Sequence, residues 1–283
     1  FDVNKSNNQH LTNPRTAGGG DGGMHGLLLI DAINFDWHGG PVFRNNNTDG
    51  IMVWEWNSGA HITELQNVNI FGPTCTLNDR QGISVVRCSG GVTFHDGTFS
   101  FTGIGPTGKL PKCGIDLEPN SADDKIKINF TGTTTSASNA ESGLLMYNVG
   151  TDIESVFDTL VCKNNSGLLG DIQMYLASTE GYNTIASRNI ITQGGYGVKT
   201  FGGTSGLSGN IIRSDYLETD QPMNNIAIGS VSLNVGEISI RTSNSGASLL
   251  INCRSVTVGT LTTASSHVGY IPNSVLKISN GNI

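Results

Sequence analysis

Residues 82–86 of this chain read Gly-Ile-Ser-Val-Val, residues 114–118 read Gly-Ile-Asp-Leu-Glu, and residues 143–147 read Gly-Leu-Leu-Met-Tyr. The same phrase, a turn residue followed by a short strand pattern, also opens at Gly26, Gly50, Asp171, Gly197, Asn225 and Ser248. Successive openings lie between 32 residues (Gly50 to Gly82) and 23 residues (Asn225 to Ser248) apart. A period of this length, without a helical pattern between the copies, is typical of a solenoid whose coils stack on one another.

A second alternating apolar pattern follows the first within each coil, as in residues 62–71, 92–101, 125–131 and 153–161. Two to three short strands per coil, joined by turns of variable length, predict an all-β fold. We expect a right-handed, single-stranded parallel β-helix of about eight or nine coils over residues 24–283. Residues 1–23 include a Gly-rich run and no strand pattern, which indicates a linker or an N-terminal loop region.

The composition favours a packed β-structure and excludes several partners. The chain has 283 residues, of which 38 are Gly and 36% are hydrophobic, enough apolar side chains to bury a core. The net charge is −7 and no basic stripe is present, so we do not expect nucleic-acid binding. No apolar run approaches 18 residues, so we expect no membrane insertion.

The cysteines do not form a pattern that binds metal. There are five of them, an odd number without C-x-x-C spacing. We therefore predict free, mostly buried thiols rather than disulfides or a zinc site, and we predict no metal and no cofactor.

Strand alternation predicts which side chains point away from the core. If the first residue after each turn points inward, the second and the fourth point outward. The second-residue column is then Met52, Ser84, Asp116, Leu145, Gln173 and Lys199, and the fourth-residue column is Trp54, Val86, Glu118, Tyr147, Tyr175 and Phe201. Aromatic rings beside polar groups suit sugars, which stack on rings and form hydrogen bonds at their rims. Stacking of these aromatic residues on one another for stability is the alternative.

Asp116 and Glu118 are the candidate catalytic pair. Two positions apart on a strand, their Cα atoms are roughly 6.5–7 Å apart on one face. Glycoside hydrolysis needs two carboxylates about 5–5.5 Å apart for retention or about 6.5–9.5 Å apart for inversion. Glu55 is a third candidate carboxylate and Arg87 a candidate clamp for the substrate. The alternative for Asp116 and Glu118 is a surface acid pair beside a turn.

Four further residues complete the candidate site. His95 lies on the second strand of its coil next to Asp96, where it would act as a base or contact the substrate. Trp54, Tyr147 and Tyr175 are the candidate sugar-binding aromatics. A polysaccharide lyase, which needs a base and a cation, would draw on Arg87, His95 and Tyr147. Asp79 and Arg80 lie in the loop before Gly82, where they would reach over the face.

With its β-helical repeat, Asn- and Gly-rich turns and the segment Cys113–Asn120 (CGIDLEPN), the chain resembles bacteriophage tailspike and tail-fibre depolymerases of the pectate-lyase-like β-helix superfamily. The resemblance implies a homotrimer in the virion tail that binds and cleaves bacterial capsule or O-antigen polysaccharide. It implies catalytic roles for Asp116, Glu118 and Glu55. A glycoside hydrolase is the leading expectation, and a polysaccharide lyase or a non-catalytic carbohydrate-binding spike are the alternatives.

Overall fold

The computed structural model describes residues 10–11, 25–30, 32–55, 64–103, 110–165, 170–194, 197–202, 208–219, 231–240, 248–251, 253–263, 267–270 and 275–281. Every regular element within these ranges is a β-strand, and no helix is found there. The prediction of an all-β fold is therefore confirmed. Most of the predicted linker, residues 1–23, lies outside the described residues.

Twenty-two strands follow one another along the described part of the chain. In order they are β1 (His10–Leu11), β2 (Leu27–Leu29), β3 (Ile33–Trp37), β4 (Val42–Arg44), β5 (Ile51–Trp54), β6 (Gln66–Phe71), β7 (Thr74–Thr76), β8 (Ile83–His95), β9 (Thr98–Ser100), β10 (Ile115–Leu117), β11 (Ile126–Ala137), β12 (Leu144–Asn148), β13 (Ile153–Lys163), β14 (Ile172–Leu176), β15 (Gly181–Gln193), β16 (Val198–Gly202), β17 (Ser208–Thr219), β18 (Val231–Ile240), β19 (Ser248–Ile251), β20 (Cys253–Thr263), β21 (His267–Tyr270) and β22 (Val275–Gly281).

The strands stack as a parallel β-solenoid of about six turns. Each strand pairs in parallel with its equivalent in the next coil. Among the described pairings only β1 runs antiparallel, against β2. The predicted second strands of the coils correspond to β6, the end of β8, β11 and β13.

The first face of the solenoid contains β2, β5, the start of β8, β10, β12, β14 and β16. Asp116 pairs with Ser84 on one side and Leu145 on the other, so the predicted second-residue column is in register. The fourth-residue column is wrong at one point. Val86 is an extra residue in β8, a β-bulge that places Trp54 opposite Arg87 rather than Val86.

Two further faces complete each early coil. The second face contains β3, β6, the end of β8 and the first half of β11; along it Phe71 pairs with His95, and His95 with Thr131. The third face contains β4, β7, β9 and the second half of β11; along it Cys75 pairs with Phe99. The long strand β8 bends from the first face to the second.

Stacked aromatic rings fill the interior beneath the second face. The rings of Phe94 and Phe130 are 5.5 Å apart, and those of Phe130 and Phe157 are 4.6 Å apart and tilted by only 8°. Phe99 packs edge-on against Phe94 and Phe130. All four side chains are at most 2% exposed. In-register stacking thus gives each coil a flat surface on which the next coil packs.

The turn that opens each coil needs glycine because neighbouring backbones approach too closely for a side chain. A Cβ atom on Gly50 would lie 2.6 Å from the carbonyl oxygen of Gly82, and one on Gly82 would lie 2.5 Å from that of Gly114. Neither residue has a positive φ. Close approach, rather than a left-handed backbone, therefore explains why these openings repeat Gly.

Buried amides line another turn. Asn46 Nδ2 donates to Asn78 Oδ1 at 2.8 Å, and Asn139 Nδ2 donates to Asn165 Oδ1 at 2.9 Å. Between these pairs Thr102 donates its backbone N–H to Asn139 Oδ1. The ladder satisfies backbone and side-chain groups that the stacked turns remove from water.

The four cysteines whose side chains are described agree with the sequence-based prediction. Cys75, Cys88, Cys113 and Cys162 are free and buried. Burial raises the pKa of each of these thiols, which keeps them protonated and unreactive.

Candidate functional site

Asp116 and Glu118 lie on the outer side of the first face, as the alternation predicts. Ile115, which precedes Asp116, and Leu117, which lies between the two acids, are fully buried in the core. Asp116, however, is not open to solvent: it is 1% exposed, whereas Glu118 is half-buried. The expectation of two exposed carboxylates is therefore wrong for Asp116, whose neighbours in the same column, Ser84 and Leu145, are also buried.

One oxygen of Asp116 is paired and the other is not. The side-chain amide of Gln81 donates a hydrogen bond to Asp116 Oδ2. Asp116 Oδ1 and Gln81 Oε1 are both buried and make no hydrogen bond to the described part of the chain. A buried oxygen without a partner is costly for a carboxylate, since only a bound proton or a partner group would compensate its charge.

A buried ion pair adjoins the two acids. Arg80 binds Asp49 through two hydrogen bonds, Nε to Oδ1 at 2.8 Å and Nη2 to Oδ2 at 2.6 Å. His25 Nδ1 lies 3.1 Å from Asp49 Oδ2 and 3.1 Å from Thr48 Oγ1. Asp49 is 0% exposed, so this bidentate pair lies in a region of low dielectric.

The environments of these carboxyl groups push their pKa values in opposite directions. Burial would raise the pKa of Asp49, but the hydrogen bonds and positive charge of Arg80 and His25 outweigh it and lower the pKa. Burial raises the pKa of Asp116 well above its usual range, and the nearby charge of Glu118 adds to the effect. Burial also raises the pKa of Glu118, against the opposing charge of Arg80. The pKa of Asp49 is thus lowered, whereas the pKa values of Asp116 and Glu118 are both raised. Perturbed carboxyl groups of this kind are frequent at functional sites.

Stability should depend on pH with opposite signs at Asp116 and Asp49. Because the folded pKa of Asp116 is raised, its carboxyl stabilises the fold below a pH of about 4 and loses this contribution as the pH rises through the folded pKa. As the pH rises from about 4 to the folded pKa, the wild type should lose this stability and Asp116→Asn should not. The free energy of unfolding of the variant should therefore increase relative to that of the wild type, by up to about 1.4 kcal/mol per pH unit.

Asp49→Asn should show the reverse. The lowered pKa of Asp49 contributes stability above a pH of about 4 that is lost as the pH falls through the folded value. Urea unfolding across a pH series measures both variants, with the exposed Asp123→Asn as the matched control. Parallel pH curves for all three variants and the wild type would contradict the assignment.

Glu55, the third predicted carboxylate, is a structural acceptor. It is 2% exposed, and its Oε1 accepts hydrogen bonds from the backbone N–H of Leu65 at 3.1 Å and of Ser89 at 2.9 Å. The Ser89 hydroxyl donates to the same oxygen at 2.8 Å. These contacts tie the end of β5 to the next coil and to the start of the second face. They give Glu55 a role that needs no substrate.

Arg87, the predicted clamp, forms an ion pair with Asp124. Its Nη1 lies 3.4 Å from Asp124 Oδ1, and both side chains are about 15% exposed. Arg80 is the arginine that acts on the acid pair, since its positive charge opposes the rise in the pKa of both Asp116 and Glu118.

The aromatic residues of the first face stack on one another. The rings of Tyr147 and Tyr175 are 4.8 Å apart and tilted by 12°, so each ring covers one face of the other. Trp54 is half-buried at the end of β5. The alternative of mutual stacking is therefore realised for Tyr147 and Tyr175, and it occupies one face of each ring.

His95 lies on the second face, whereas Asp116 lies on the first. Its ring stacks on Phe71 at 4.1 Å and contacts Asn69 and Thr131. The structure thus brings Asp116 and Glu118 together with Arg80, and it separates His95 from them.

Sequence reasoning missed Asp49, Gln81 and His25. Each of them directly precedes an opening glycine: His25 before Gly26, Asp49 before Gly50 and Gln81 before Gly82. The column of residues one position before the turn would have revealed them. Asp-Gly is also a common turn dipeptide, and this interpretation of Asp49-Gly50 draws attention away from the charge of Asp49.

No family model, no curated protein and no solved structure matches this chain. Within the described ranges, no group of three or more His, Cys, Asp or Glu side chains is arranged to hold a metal ion. The same ranges contain no helix long and apolar enough to cross a membrane.

Proposed function

We propose that this protein binds a polysaccharide and cleaves its glycosidic bonds by hydrolysis, with Asp116 and Glu118 as the paired carboxyl groups. The observation that carries the proposal is the pair itself. Two carboxyls, two positions apart on the outer side of the first face, both have a raised pKa and lie beside an ion pair that keeps a third carboxyl charged. Two acids of this kind can hold one proton between them, which supplies one acid and one base.

Their different exposure suggests different roles. Glu118 is half-buried and can reach a ligand, so we assign it as the general acid that protonates the leaving glycosidic oxygen. Asp116 lies beneath, held by Gln81, and serves as the second carboxyl of the pair. Arg80, held in place by Asp49, supplies a positive charge that limits how far the pKa of each carboxyl rises, whereas the negative charge of Asp49 adds to the rise at Asp116.

The substrate and assembly follow from the resemblance to tailspike depolymerases. We propose a bacterial capsule or O-antigen polysaccharide as the substrate, a position in the virion tail, and a homotrimer. We also propose that the solenoid is right-handed and has eight or nine coils. Sedimentation of a protein that includes any flanking segments tests the trimer, and an experimental structure tests the handedness and number of coils.

The function is tested on a panel of purified bacterial capsules and O-antigens. Hydrolysis predicts shorter chains by size-exclusion chromatography, new reducing ends and no gain in ultraviolet absorbance. A gain in absorbance from an unsaturated uronate would instead identify a lyase. Binding without any shortening would identify a non-catalytic spike. Either of these two results would overturn the proposed hydrolysis.

A further inference from the structure

Four side chains form a hydrogen-bonded chain across four successive coils of the second face. Asn69 Nδ2 donates to Asp36 Oδ1 at 2.8 Å. His95 Nε2 lies 3.3 Å from Asn69 Oδ1. Thr131 Oγ1 lies 2.6 Å from His95 Nδ1. The four residues come from β3, β6, β8 and β11, so the stacking of the coils alone brings them together.

The contacts determine which imidazole nitrogen carries the proton. Because the amide nitrogen of Asn69 donates to Asp36, its carbonyl oxygen faces His95 and can only accept. His95 Nε2 is therefore the protonated nitrogen in the neutral ring. Nδ1 is then left as an acceptor, and its partner is the hydroxyl of Thr131. A base that is oriented by a third group and bonded to a hydroxyl is the general signature of an activated nucleophile.

Ring stacking holds the imidazole in place without closing the site. Phe71 stacks on His95 at 4.1 Å with a tilt of 8°, and His38 stacks on the other side of Phe71 at 4.3 Å. His95 and Thr131 are both partly exposed to solvent. A small molecule can therefore reach the hydroxyl, while the base keeps one orientation.

We propose that Thr131, His95 and Asn69 form an acyl-transfer site for esters, separate from the carboxyl pair on the first face and independent of the proposed hydrolysis of polysaccharide. Thr131 Oγ attacks the ester carbonyl while its proton passes to His95 Nδ1. The tetrahedral intermediate then expels the alcohol, which takes that proton, and leaves an acyl group on Thr131. Water, deprotonated by His95, releases the acyl group as a carboxylic acid. Asn69 is a positioning residue, since it acts through His95.

The backbone beyond Thr131 already binds negatively charged oxygens. A β-bulge interrupts β11 here, and the N–H groups of Gly132 and Thr133 donate to Asp158 Oδ2 at 3.0 Å and Asp96 Oδ1 at 2.9 Å. Both carboxylates are solvent-accessible, so an incoming oxyanion displaces exposed contacts. Two adjacent N–H donors next to a nucleophile are the groups that stabilise such an oxyanion.

The test uses p-nitrophenyl acetate as the probe, with release of nitrophenol followed by absorbance and the acetylated residue located by peptide mass mapping. The wild type should carry acetyl on Thr131. Thr131→Val and His95→Ala should each lower the rate of nitrophenol release by about 10²-fold or more. Thr131→Ser should retain activity, and Asn69→Asp, which still accepts from Nε2, should retain more than Asn69→Ala.

Thr135→Val is the matched control, because it removes a half-buried hydroxyl from the same strand. It should leave the rate unchanged. Acetyl found on lysines alone, or a Thr131→Val rate equal to that of the control, would overturn the proposal. If Thr131→Val does not fold, mapping of acetyl on the wild type and on Thr131→Ser decides the question.

Discussion

Replacing Glu118 by Gln is expected to lower the rate of polysaccharide cleavage by about 10²–10⁴-fold, the contribution of a positioned general acid. The glutamine side chain keeps the size of Glu118 but cannot donate the proton to the leaving oxygen. Asp116→Asn should cause a loss of similar size because it removes the second carboxyl of the pair. Both rates are measured on the polysaccharide that the wild type shortens, from the appearance of reducing ends.

The matched control for this experiment is Glu154→Gln. Glu154 is 41% exposed on the second face, where it pairs with Lys127 at 3.3 Å, so the same chemical change there should leave cleavage unaffected. Binding of the polysaccharide should persist in all three variants. Near-normal cleavage by both Glu118→Gln and Asp116→Asn would move the site elsewhere on the solenoid. Such a result would leave the ester chemistry proposed for Thr131 untouched.

The largest expected effect on stability is that of Phe130→Ala, a loss of about 3–5 kcal/mol in the free energy of unfolding. Phe130 lies between Phe94 and Phe157 in the interior stack and is 1% exposed. Its removal leaves a cavity between two coils that the rigid strands on either side cannot close. Urea unfolding followed by circular dichroism measures the loss.

Phe101→Ala is the control for this prediction. Phe101 is 50% exposed, so the same truncation removes little buried surface and should cost much less. Equal losses in the two variants would mean that the stack contributes no more than an exposed ring. The difference between the losses for Phe130→Ala and Phe101→Ala therefore measures the contribution of burying the ring, because the chemical change is the same at both positions.

Much of the fold could be predicted from the sequence because a solenoid repeats. The recurring Gly-Ile phrase gave the register of the first face, and Asp116 lies opposite Ser84 and Leu145 as the repeat requires. The register fails where the repeat is locally irregular, at the β-bulge of Val86. An extra residue in one strand cannot be recognised from the alternation of that strand alone. It becomes visible only when the residues of the neighbouring strand are paired with it.

The site was less predictable than the fold. Alternation says that Asp116 points away from the core, yet it does not say whether another segment covers it, and Asp116 is buried. The pairing of Arg80 with Asp49 depends on contacts between coils at the turns, where sequence spacing varies most. The sequence places His95 on the second strand of its coil but does not show how far that strand lies from Asp116, and the bend of β8 puts the two residues on different faces.

Pairing partners lie only one coil apart along the chain, which has a consequence for how the chain folds. Thr131 pairs with His95, 36 residues earlier, and Ile153 pairs with Ile126, 27 residues earlier. Added coils lengthen the chain without lengthening these loops, so relative contact order falls as the array grows. Once two coils have docked, each further coil pairs with a strand edge that is already folded, and it closes a loop of only one coil. The folding rate of longer versions of this solenoid should therefore be set by formation of the first docked pair rather than by total length.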